Sequence, residues 1–400
     1  MKDLKIYLIA GEPSGDALGS RLMKALVRKA EGNVEFFGVG GENMEKEGLK
    51  SLFDITDLAI MGLAEVIPSI PKVLKLMKRT VEDIKKVNPD IVVSIDSWSF
   101  CSRVHKKLKK LNLDIPQVHY VAPQVWAWKK KRAKTMHKYI DHLLTLLPQE
   151  PKYFTPHGLD TTFVGHPVIE SSVVTADGQD FRRKYNIPAD KLIVSLLPGS
   201  RHNEVSRLFP VFLTTAKMMM EAEDRYVFVV PTVKTVSNRV KKMAETAKVP
   251  VVIVEGSENR HQAIKASSVA MAASGTVALE LAIANVPHII AYKVSPLSAM
   301  LARKFLKIQF VNLSNIILGR EIVPELLQER AVPGNIKQYM TELLSKKDLY
   351  EKQMEGFDKV REKLGLGEQT PSENAADVII KIATREKCED GVNCIFSYKD

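Results

Sequence analysis

Cysteine is scarce in this sequence: three of its 400 residues are cysteines. No two of them form a C-x-x-C pair, and no cysteine and histidine cluster has zinc spacing, so we expect neither a disulfide framework nor a structural metal. Long apolar runs are missing too, since no stretch approaches the roughly 18 uninterrupted apolar residues of a membrane-spanning helix. The N-terminus lacks the apolar core of a signal peptide. We therefore expect a cytoplasmic protein whose contact with a membrane is at most peripheral.

Acidic residues are outnumbered: 58 lysines and arginines face 47 aspartates and glutamates, a formal net charge of +11. This excess suits an anionic partner, which could be nucleic acid, a phosphorylated ligand or an acidic membrane. Nucleic acid fits least, because the aromatic residues and lysines do not interleave as a stacking platform requires. Asp-x-Asp pairs and closely spaced histidines are also lacking. We predict no metal and no cofactor.

Short runs of Val, Ile and Leu alternate with longer segments of helical periodicity, the pattern of βαβ units around a parallel sheet. The first series of predicted strands is Ile6–Ala10, Val34–Val39, Ile91–Ile95, Val118–Val121 and Leu143–Leu147, and the second is Leu192–Leu197, Val227–Val230, Val251–Val254, Val269–Ala272 and Ile289–Tyr292. We therefore predict an α/β protein with two doubly wound, Rossmann-like domains that face a central cleft.

The alternation of strand-like and helical segments is lost after Pro167, where glycines and prolines recur as in a linker. We place an N-terminal domain at residues 1–167 and a second domain at residues 168–365. Residues 366–400 are predicted to form a C-terminal helix that packs on an N-terminal domain, followed by a tail.

Acidic side chains follow two strands of the first domain. Glu12 and Asp16 lie in the GEPSGD loop after the first strand, and Asp96 ends the third. Because ligands of open α/β sheets bind beyond the carboxyl ends of the strands, each carboxylate is a candidate general base. Capping is the alternative: Asp16 suits a helix N-cap, and Asp96 could cap the helix that follows it.

Two loops of the second domain have features of a nucleotide diphosphate site. The loop Gly199-Ser200-Arg201 ends a strand and offers a permanently charged guanidinium. The loop Ser274-Gly275-Thr276 opens a helix whose free amides could meet a phosphate, and Glu280, one turn in, could accept hydrogen bonds from a ribose diol. A surface arginine without function is the alternative for Arg201.

The segment Ile60–Arg79 is apolar on one side and basic at its end. A helix of this kind packs either on a protein core or at the interface of an anionic membrane. Its candidate membrane residues are Val66, Ile67, Ile70, Val73, Leu74, Lys75, Lys78 and Arg79. The aromatic and basic run that includes Trp126 and Lys129 could join the same surface.

Several longer motifs extend these features: AGEPSGDALG, GVGGENM, MGLAEVI, HYVAPQVWAWKKKR, FVGHPV, LLPGSRHNEV, ASGTVALELA and NIILGREIVPELLQ. In these motifs, and from about Lys5 to Ala383, the chain resembles the lipid-A-disaccharide synthases, inverting glycosyltransferases of the GT-B superfamily.

The resemblance implies a reaction. The family transfers 2,3-diacylglucosamine from its UDP derivative to 2,3-diacylglucosamine 1-phosphate, releasing UDP and forming the β-1,6-linked disaccharide 1-phosphate of lipid A by a single inverting displacement. The alternative is another GT-B enzyme that uses UDP-N-acetylglucosamine, such as a peptidoglycan-precursor transferase or an epimerase, neither of which needs an acylated donor.

The resemblance also implies further residues and partners. Asn315, Arg320, Glu321 and Glu325 would contact the donor. Because both substrates carry acyl chains, it favours the membrane interface for Ile60–Arg79, on the cytoplasmic side of the inner membrane of a Gram-negative bacterium. A homodimer is expected as well.

One position departs from the family pattern. Many relatives have a second acid three residues after the strand-end aspartate, where this chain has Ser99. The base must therefore come from Asp96, Asp16 or Glu12. The tail with Cys388 and Cys394 lies outside the resemblance and receives no function.

Overall fold

In the computed structural model the chain divides into two compact units: unit 1 is residues 1–167 with 367–400, and unit 2 is residues 168–366. The structure describes residues 3–58, 63–125, 130–295, 299–300, 309–367 and 369–384, and for residues 63–69 and 130 the backbone alone.

Unit 1 contains a six-stranded parallel sheet in the order β2-β1-β3-β4-β5-β6. The strands are β1 (Leu4–Ala10), β2 (Val34–Val39), β3 (Ile91–Ile95), β4 (Gln117–Tyr120), β5 (His142–Thr145) and β6 (Asp160–Phe163). The helices among them are α1 (Pro13–Lys29), α2 (Glu42–Lys46), α3 (Leu63–Val87), α4 (Trp98–Lys110) and α5 (Ala133–Met136). Since β1 has β2 on one side and β3 on the other, the connections change direction between β1 and β3, which is where open α/β sheets bind ligands.

Both faces of this sheet are covered, which explains why its inner strands are apolar almost without interruption. Ile6 and Leu8 of β1 belong to the apolar cluster that includes α1, whereas Tyr7 and Ile9 belong to the cluster that includes α3 and α4. All four are fully buried. The apolar sequence of β1 is therefore the sequence of a strand buried on two sides.

Unit 2 contains a second six-stranded parallel sheet, in the order β12-β11-β10-β7-β8-β9. Its strands are β7 (Leu192–Leu197), β8 (Tyr226–Thr232), β9 (Val251–Glu255), β10 (Val269–Ala272), β11 (His288–Tyr292) and β12 (Glu325–Leu327). Its helices are α6 (Gly178–Lys184), α7 (His202–Ala222), α8 (Lys234–Ala247), α9 (Ser257–Ala266), α10 (Thr276–Ile283), α11 (Leu313–Leu318), α12 (Pro333–Ser345) and α13 (Lys347–Lys363). Here the connections change direction between β7 and β10.

The last helix among the described residues, α14 (Pro371–Thr384), belongs to unit 1 and packs on α1. Its Ala375, Ala376 and Ile379 are fully buried in the same cluster as Leu22 and Leu26 of α1. At the surface, Lys29 of α1 forms an ion pair with Asp377 at 3.0 Å. Helix α14 therefore packs on the unit that contains β1.

The predicted α/β class with two doubly wound sheets is confirmed. Two strands were not predicted, β6 and β12, and both lie at the edge of a sheet. The sequences DTTF and ELL are short and partly polar, as edge strands often are, so they lack the apolar run that marks the inner strands. Within the described residues, no helix combines the length and apolarity needed to cross a membrane.

Candidate functional site

In unit 1, two loops meet at the carboxyl ends of β1 and β3. Ser97 Oγ donates a hydrogen bond to Glu12 Oε1 over 3.0 Å, and Ser14 Oγ donates one to Asp96 Oδ2 over 3.3 Å. The loops can approach because residue 11 is a glycine: a Cβ there would lie 3.0 Å from both Cβ and Oγ of Ser97. Two of the three predicted carboxylates, Glu12 and Asp96, thus belong to one cluster. The two bridging serines were not predicted.

The backbone after β3 is held in an uncommon conformation. Asp96 and Ser97 have φ angles of 55° and 42°, in the left-handed region that residues with a side chain seldom occupy. Asp96 Oδ1 accepts a hydrogen bond from Ser97 N over 2.8 Å, which stabilises the turn. Because α4 begins at Trp98 with Ser97 at its N-cap, the alternative that Asp96 caps this helix is wrong.

Asp16 is in a different environment, because its side chain is only 3% exposed. It accepts hydrogen bonds from the backbone amides of Gly41 at 2.8 Å, Asn43 at 3.1 Å and Met44 at 3.0 Å, and from Asn43 Nδ2 at 2.7 Å. Helix α1 begins at Pro13, a residue suited to the first helical position, so the alternative that Asp16 caps its own helix is wrong. It binds the start of α2 instead.

Below this loop lies a buried polar network. Ser94 Oγ lies 2.6 Å from His105 Nε2 and 2.7 Å from His119 Nδ1, and His105 Nδ1 lies 2.8 Å from Gln117 Oε1. Burial lowers the pKa of His105 to about 4, and it also lowers the pKa of His119. Both imidazoles are therefore neutral at pH 7. The ring of Trp98, the first residue of α4, lies 4.7 Å from that of His119.

In unit 2, the loop after β7 is ordered by a glutamate that the sequence analysis did not assign to the site. Glu204 Oε2 accepts hydrogen bonds from Ser200 N at 3.2 Å and Arg201 N at 3.3 Å, while Glu204 Oε1 accepts one from Arg201 Nη1 at 2.8 Å. Gly199 has a φ of 107°, and a Cβ there would lie 2.4 Å from Glu204 Oε2. The Arg201 side chain pairs with Glu204 through Nη1 and is 80% exposed, so the rest of its guanidinium is open to a ligand.

The second predicted loop follows β10, the neighbour of β7 in the sheet. Ser274 Oγ donates to Val311 O over 2.8 Å, and α10 begins at Thr276 with Gly275 at its N-cap. Gly275 and Thr276 are exposed. Gly275 has a φ of 149°, and no atom of the described residues lies within 4 Å of the position that a Cβ would take. In this part of the structure the first amides of α10 therefore adjoin open space, as an anion site requires.

Glu280, one turn into α10, is 7% exposed, and its two carboxylate oxygens differ. Oε1 accepts a hydrogen bond from Arg260 Nη2 at 2.9 Å, while Oε2 is buried and has no hydrogen-bond partner among the described residues. Burial acts to raise the pKa of Glu280, but contact with His261 and the charge of Arg260 hold that pKa below its ordinary value. Glu280 is thus held in its ionised form, and its Oε2 is a buried acceptor without a hydrogen-bond donor among the described residues.

The family resemblance implies four further donor-binding residues, and these lie in the segment around α11 and β12: Asn315, Arg320, Glu321 and Glu325. Asn315 Nδ2 donates to Glu325 Oε1 at 2.9 Å, and Asn315 Oδ1 accepts from Val323 N at 3.0 Å. Glu325 also accepts from the amides of Val311 and Asn312. These two side chains therefore order the segment by binding its backbone.

Arg320 and Glu321 are exposed at the turn between α11 and β12. In the same segment, Asn312 Nδ2 and Ser314 Oγ are buried and lack a hydrogen-bond partner among the described residues. Because Ser274 Oγ donates to Val311 O, this segment is joined to the start of α10.

Helix α3 has two distinct sides in the part whose side chains are described. Leu76 is buried and Val73 partly buried against the core of unit 1. Ile70 and Leu74, by contrast, are 47% and 41% exposed. The basic residues Lys75, Lys78 and Arg79 are exposed as well. The predicted membrane residues Val66, Ile67, Trp126 and Lys129 lie outside the described side chains.

In the part of the chain that the structure describes, no group of three or more His, Cys, Asp and Glu side chains is placed to hold a metal ion. Cys101 is a buried free cysteine. The tail with Cys388 and Cys394 lies outside the described residues.

Comparison with known proteins identifies a family. Residues 6–379 match the family model described as Lipid-A-disaccharide synthetase. A lipid-A-disaccharide synthase from Rhodospirillum centenum is 45% identical over 390 residues, which are 98% of this chain and 97% of the relative.

Solved structures share the fold at low identity. Sucrose-phosphate synthase from Thermosynechococcus elongatus has a TM-score of 0.61 at 12% identity, over 96% of this chain and 100% of that one. UDP-GlcNAc 2-epimerase from Neisseria meningitidis, bound to UDP-GlcNAc, has a TM-score of 0.60 at 11% identity, over 96% of this chain and 100% of that one. These likenesses confirm the predicted GT-B fold.

Proposed function

This chain belongs to the lipid-A-disaccharide synthase family, and we propose how its residues divide the work of that reaction. It is a glycosyltransferase that forms the lipid A disaccharide from a UDP-sugar and an acceptor sugar. The donor substrate is UDP-2,3-diacylglucosamine, and the acceptor substrate is 2,3-diacylglucosamine 1-phosphate. A peptidoglycan-precursor transferase or an epimerase is not favoured, because the family match covers nearly the whole chain.

Unit 2 holds the nucleotide of the donor, and the buried Oε2 of Glu280 is the observation that carries this assignment. An ionised oxygen without a partner is costly inside a protein unless a ligand donates a hydrogen bond to it. A ribose diol supplies such a donor. The open space over Gly275, one turn before Glu280, leaves room for the phosphates attached to that ribose.

The diphosphate is stabilised as it leaves. Arg201 offers an exposed guanidinium, and the first amides of α10 offer a helix N-terminus, so both supply positive potential where negative charge develops. Ser200 and Thr276 add polar groups beside these two. Glu204 keeps the Arg201 loop in one conformation through its backbone amides.

Unit 1 supplies the general base. Glu12 or Asp96 removes the proton from the 6-hydroxyl of the acceptor, and that oxygen attacks the anomeric carbon as the bond to UDP breaks. A single displacement inverts the anomeric configuration. Asp16 is a positioning residue for the start of α2, since it is buried and all four of its hydrogen bonds come from residues 41–44.

Helix α3 docks unit 1 on a membrane. Ile70 and Leu74 lie one turn apart on the exposed side, with Lys78 one turn further, so an apolar pair is followed by a cation. Apolar side chains enter the interface while lysine and arginine bind anionic lipid. Acylated substrates require such docking. A peripheral position on the cytoplasmic face of the inner membrane, and a homodimer, stay predictions of the family resemblance.

The test is to incubate the purified protein with UDP-2,3-diacylglucosamine and 2,3-diacylglucosamine 1-phosphate, and to follow UDP release and the mass of the product. UDP-glucosamine without acyl chains is the matched control donor. A disaccharide 1-phosphate that forms only from the acylated donor is expected. If the acylated pair yields no disaccharide, the proposed substrates are wrong.

A further inference from the structure

A basic pocket of about 340 Å³ lies in unit 1, and the assignments above leave it unused. Its lining comes from one side of α4 and from the segment around α5, and consists of Trp98, Ser99, Ser102, Arg103, Lys106, Arg132, Thr135 and Tyr139. Three of these residues are cations, three carry an aliphatic hydroxyl and two are aromatic. No carboxylate is among them.

The three cations of this pocket are not neutralised by the described part of the protein. Arg103, Lys106 and Arg132 have no salt-bridge partner among the described residues, whereas Lys109 on the same helix pairs with Asp141. Three positive charges around one concave surface produce a local field that attracts anions.

Two of these side chains are held in place by contacts within the pocket. Lys106 Nζ lies 4.5 Å from the centre of the Tyr139 ring, a cation–π contact. Arg103 Nη1 donates a hydrogen bond to Ser99 O. The cations are therefore partly pre-organised, which lowers the entropic cost of binding an anion.

The pocket begins at the start of α4, the helix that follows the proposed base Asp96 in the chain. Trp98 lines it and directly follows Ser97, whose hydroxyl donates to Glu12 and whose neighbour is Asp96. An acceptor whose 6-hydroxyl lies at these carboxylates would have the rest of its sugar ring within reach of α4. In a glucosamine 1-phosphate, C1 and C5 are both bonded to the ring oxygen, so the phosphate on C1 and the 6-hydroxyl on C6 leave from neighbouring parts of the ring and one bound sugar can present both to adjoining groups.

We propose that this pocket binds the 1-phosphate of the acceptor, a phosphate monoester, and so orients the sugar with its 6-hydroxyl toward Glu12 and Asp96. The guanidinium groups of Arg103 and Arg132 bind phosphate oxygens in the forked geometry that arginine provides, and Lys106 adds a point charge. Ser99 and Ser102 donate further hydrogen bonds. This inference rests on the proposed function, since it names the site of that reaction's acceptor.

The test compares acceptors with and without the phosphate. The variants are Arg103→Ala, Lys106→Ala and Arg132→Ala, and Lys110→Ala is the control because Lys110 is exposed on the same helix outside the pocket. Each pocket variant should raise the KM for 2,3-diacylglucosamine 1-phosphate about tenfold, the loss expected for one charge-assisted hydrogen bond. The KM for the donor should change less than about twofold, and 2,3-diacylglucosamine should be used equally by variant and wild type.

A binding measurement separates this inference from the reaction itself. Titration of the wild-type protein with glucosamine 1-phosphate, followed by ³¹P NMR, should show binding that glucosamine does not compete away and that Arg103→Ala weakens. If the wild type makes no disaccharide, the proposed function fails, and this titration still tests the pocket.

Two results would overturn the inference. One is an active wild type whose pocket variants keep the acceptor KM, together with equal binding of glucosamine and glucosamine 1-phosphate. The other is a loss of binding to phosphatidylglycerol vesicles in the variants with an unchanged acceptor KM, which would assign the cations to lipid headgroups.

Discussion

Ser97 Oγ donates to Glu12 Oε1 over 3.0 Å, and this contact joins the loop after β1 to the loop after β3. A carboxylate from each loop is thereby brought into one cluster, because Asp96 is the next residue and accepts a hydrogen bond from Ser14. The two acids differ in exposure: Glu12 is exposed and Asp96 is half-buried. Which of them is the base can be decided by replacing each in turn.

Asp96→Asn and Glu12→Gln keep the shape of each side chain and its serine contact while removing a proton acceptor. We expect the variant at the base to lose about 10²–10⁴-fold in kcat, and the other variant to lose much less. Steady-state assays of UDP release measure both. Circular dichroism should show both variants folded, and retention of full kcat by both would exclude this pair.

Glu280→Gln should weaken binding of UDP by about tenfold or more, because the amide replaces an ionised acceptor and its NH₂ group faces the ribose hydroxyl or Arg260. Isothermal titration with UDP gives the dissociation constant directly. Glu258→Gln, at an exposed glutamate near the start of α9, is the control and should bind UDP as the wild type does. Equal affinities for all three proteins would remove Glu280 from the nucleotide site.

Arg201→Ala should lower turnover several-fold or more while the protein stays folded, because the leaving diphosphate loses an exposed cation. Lys217→Ala removes an exposed charge from α7, the helix that Arg201 precedes, and should leave turnover unchanged. Rapid-quench measurement of the first turnover separates the chemical step from product release. Unchanged kinetics for Arg201→Ala would place the diphosphate elsewhere.

Replacing Ile70 and Leu74 together by serine should reduce binding to anionic vesicles by roughly 10- to 100-fold, since each side chain loses part of its apolar transfer free energy. Val27→Ser is the matched control, because Val27 is 58% exposed on α1. Vesicle sedimentation at low and high salt measures the partition. Equal partitioning of the double variant and the wild type would argue against docking through α3.

The stability of the fold should fall as the pH is lowered from about 6.5 toward 4. Burial lowers the pKa of His105 and of His288 to about 4 each, so both are neutral in the folded protein. In the unfolded chain the same histidines take up protons below their ordinary pKa of 6.5. The stability is thus complete above pH 6.5 and decreases on acidification, by on the order of 3 kcal/mol for each histidine at pH 4.

Urea unfolding at pH 7 and pH 5 measures this loss. His288→Phe should reduce the difference between the two pH values, whereas His137→Asn, at an exposed position, should leave it unchanged. An equal pH dependence in the wild type and His288→Phe would contradict the assignment.

The inner strands could be predicted from the sequence because a parallel strand covered on both faces must be apolar on both. The acids at the strand ends could be located for the same reason, since the end of an apolar run fixes the end of a strand. The role of Asp16 could not be predicted, because its hydrogen-bond donors come from Gly41 to Met44, after a helix and a strand. Tertiary contact, and not local spacing, determines its environment.

The role of Glu204 in ordering the Arg201 loop could be predicted from the sequence. It stands three residues after Arg201, the spacing at which a glutamate reaches back to the start of its helix. The pairing of Arg260 with Glu280 had no such signal, because α9 and α10 are separated by β10 and no local rule relates them. The difference between the two oxygens of Glu280 depends on this tertiary contact, because Arg260 donates to Oε1 alone and Oε2 has no donor among the described residues.

The carboxylate of Asp16 occupies the amides at the start of α2. Dinucleotide-binding folds leave such amides after a glycine-rich turn to a phosphate of the ligand. Unit 1 instead carries a built-in counter-ion there, so a nucleotide phosphate at this turn would meet a fixed negative charge. One side chain of α1 thereby makes the turn after β2 unsuited to a phosphate, although the two sheets have the same architecture. Asp16 would have to be replaced before this turn could be redesigned as a nucleotide site.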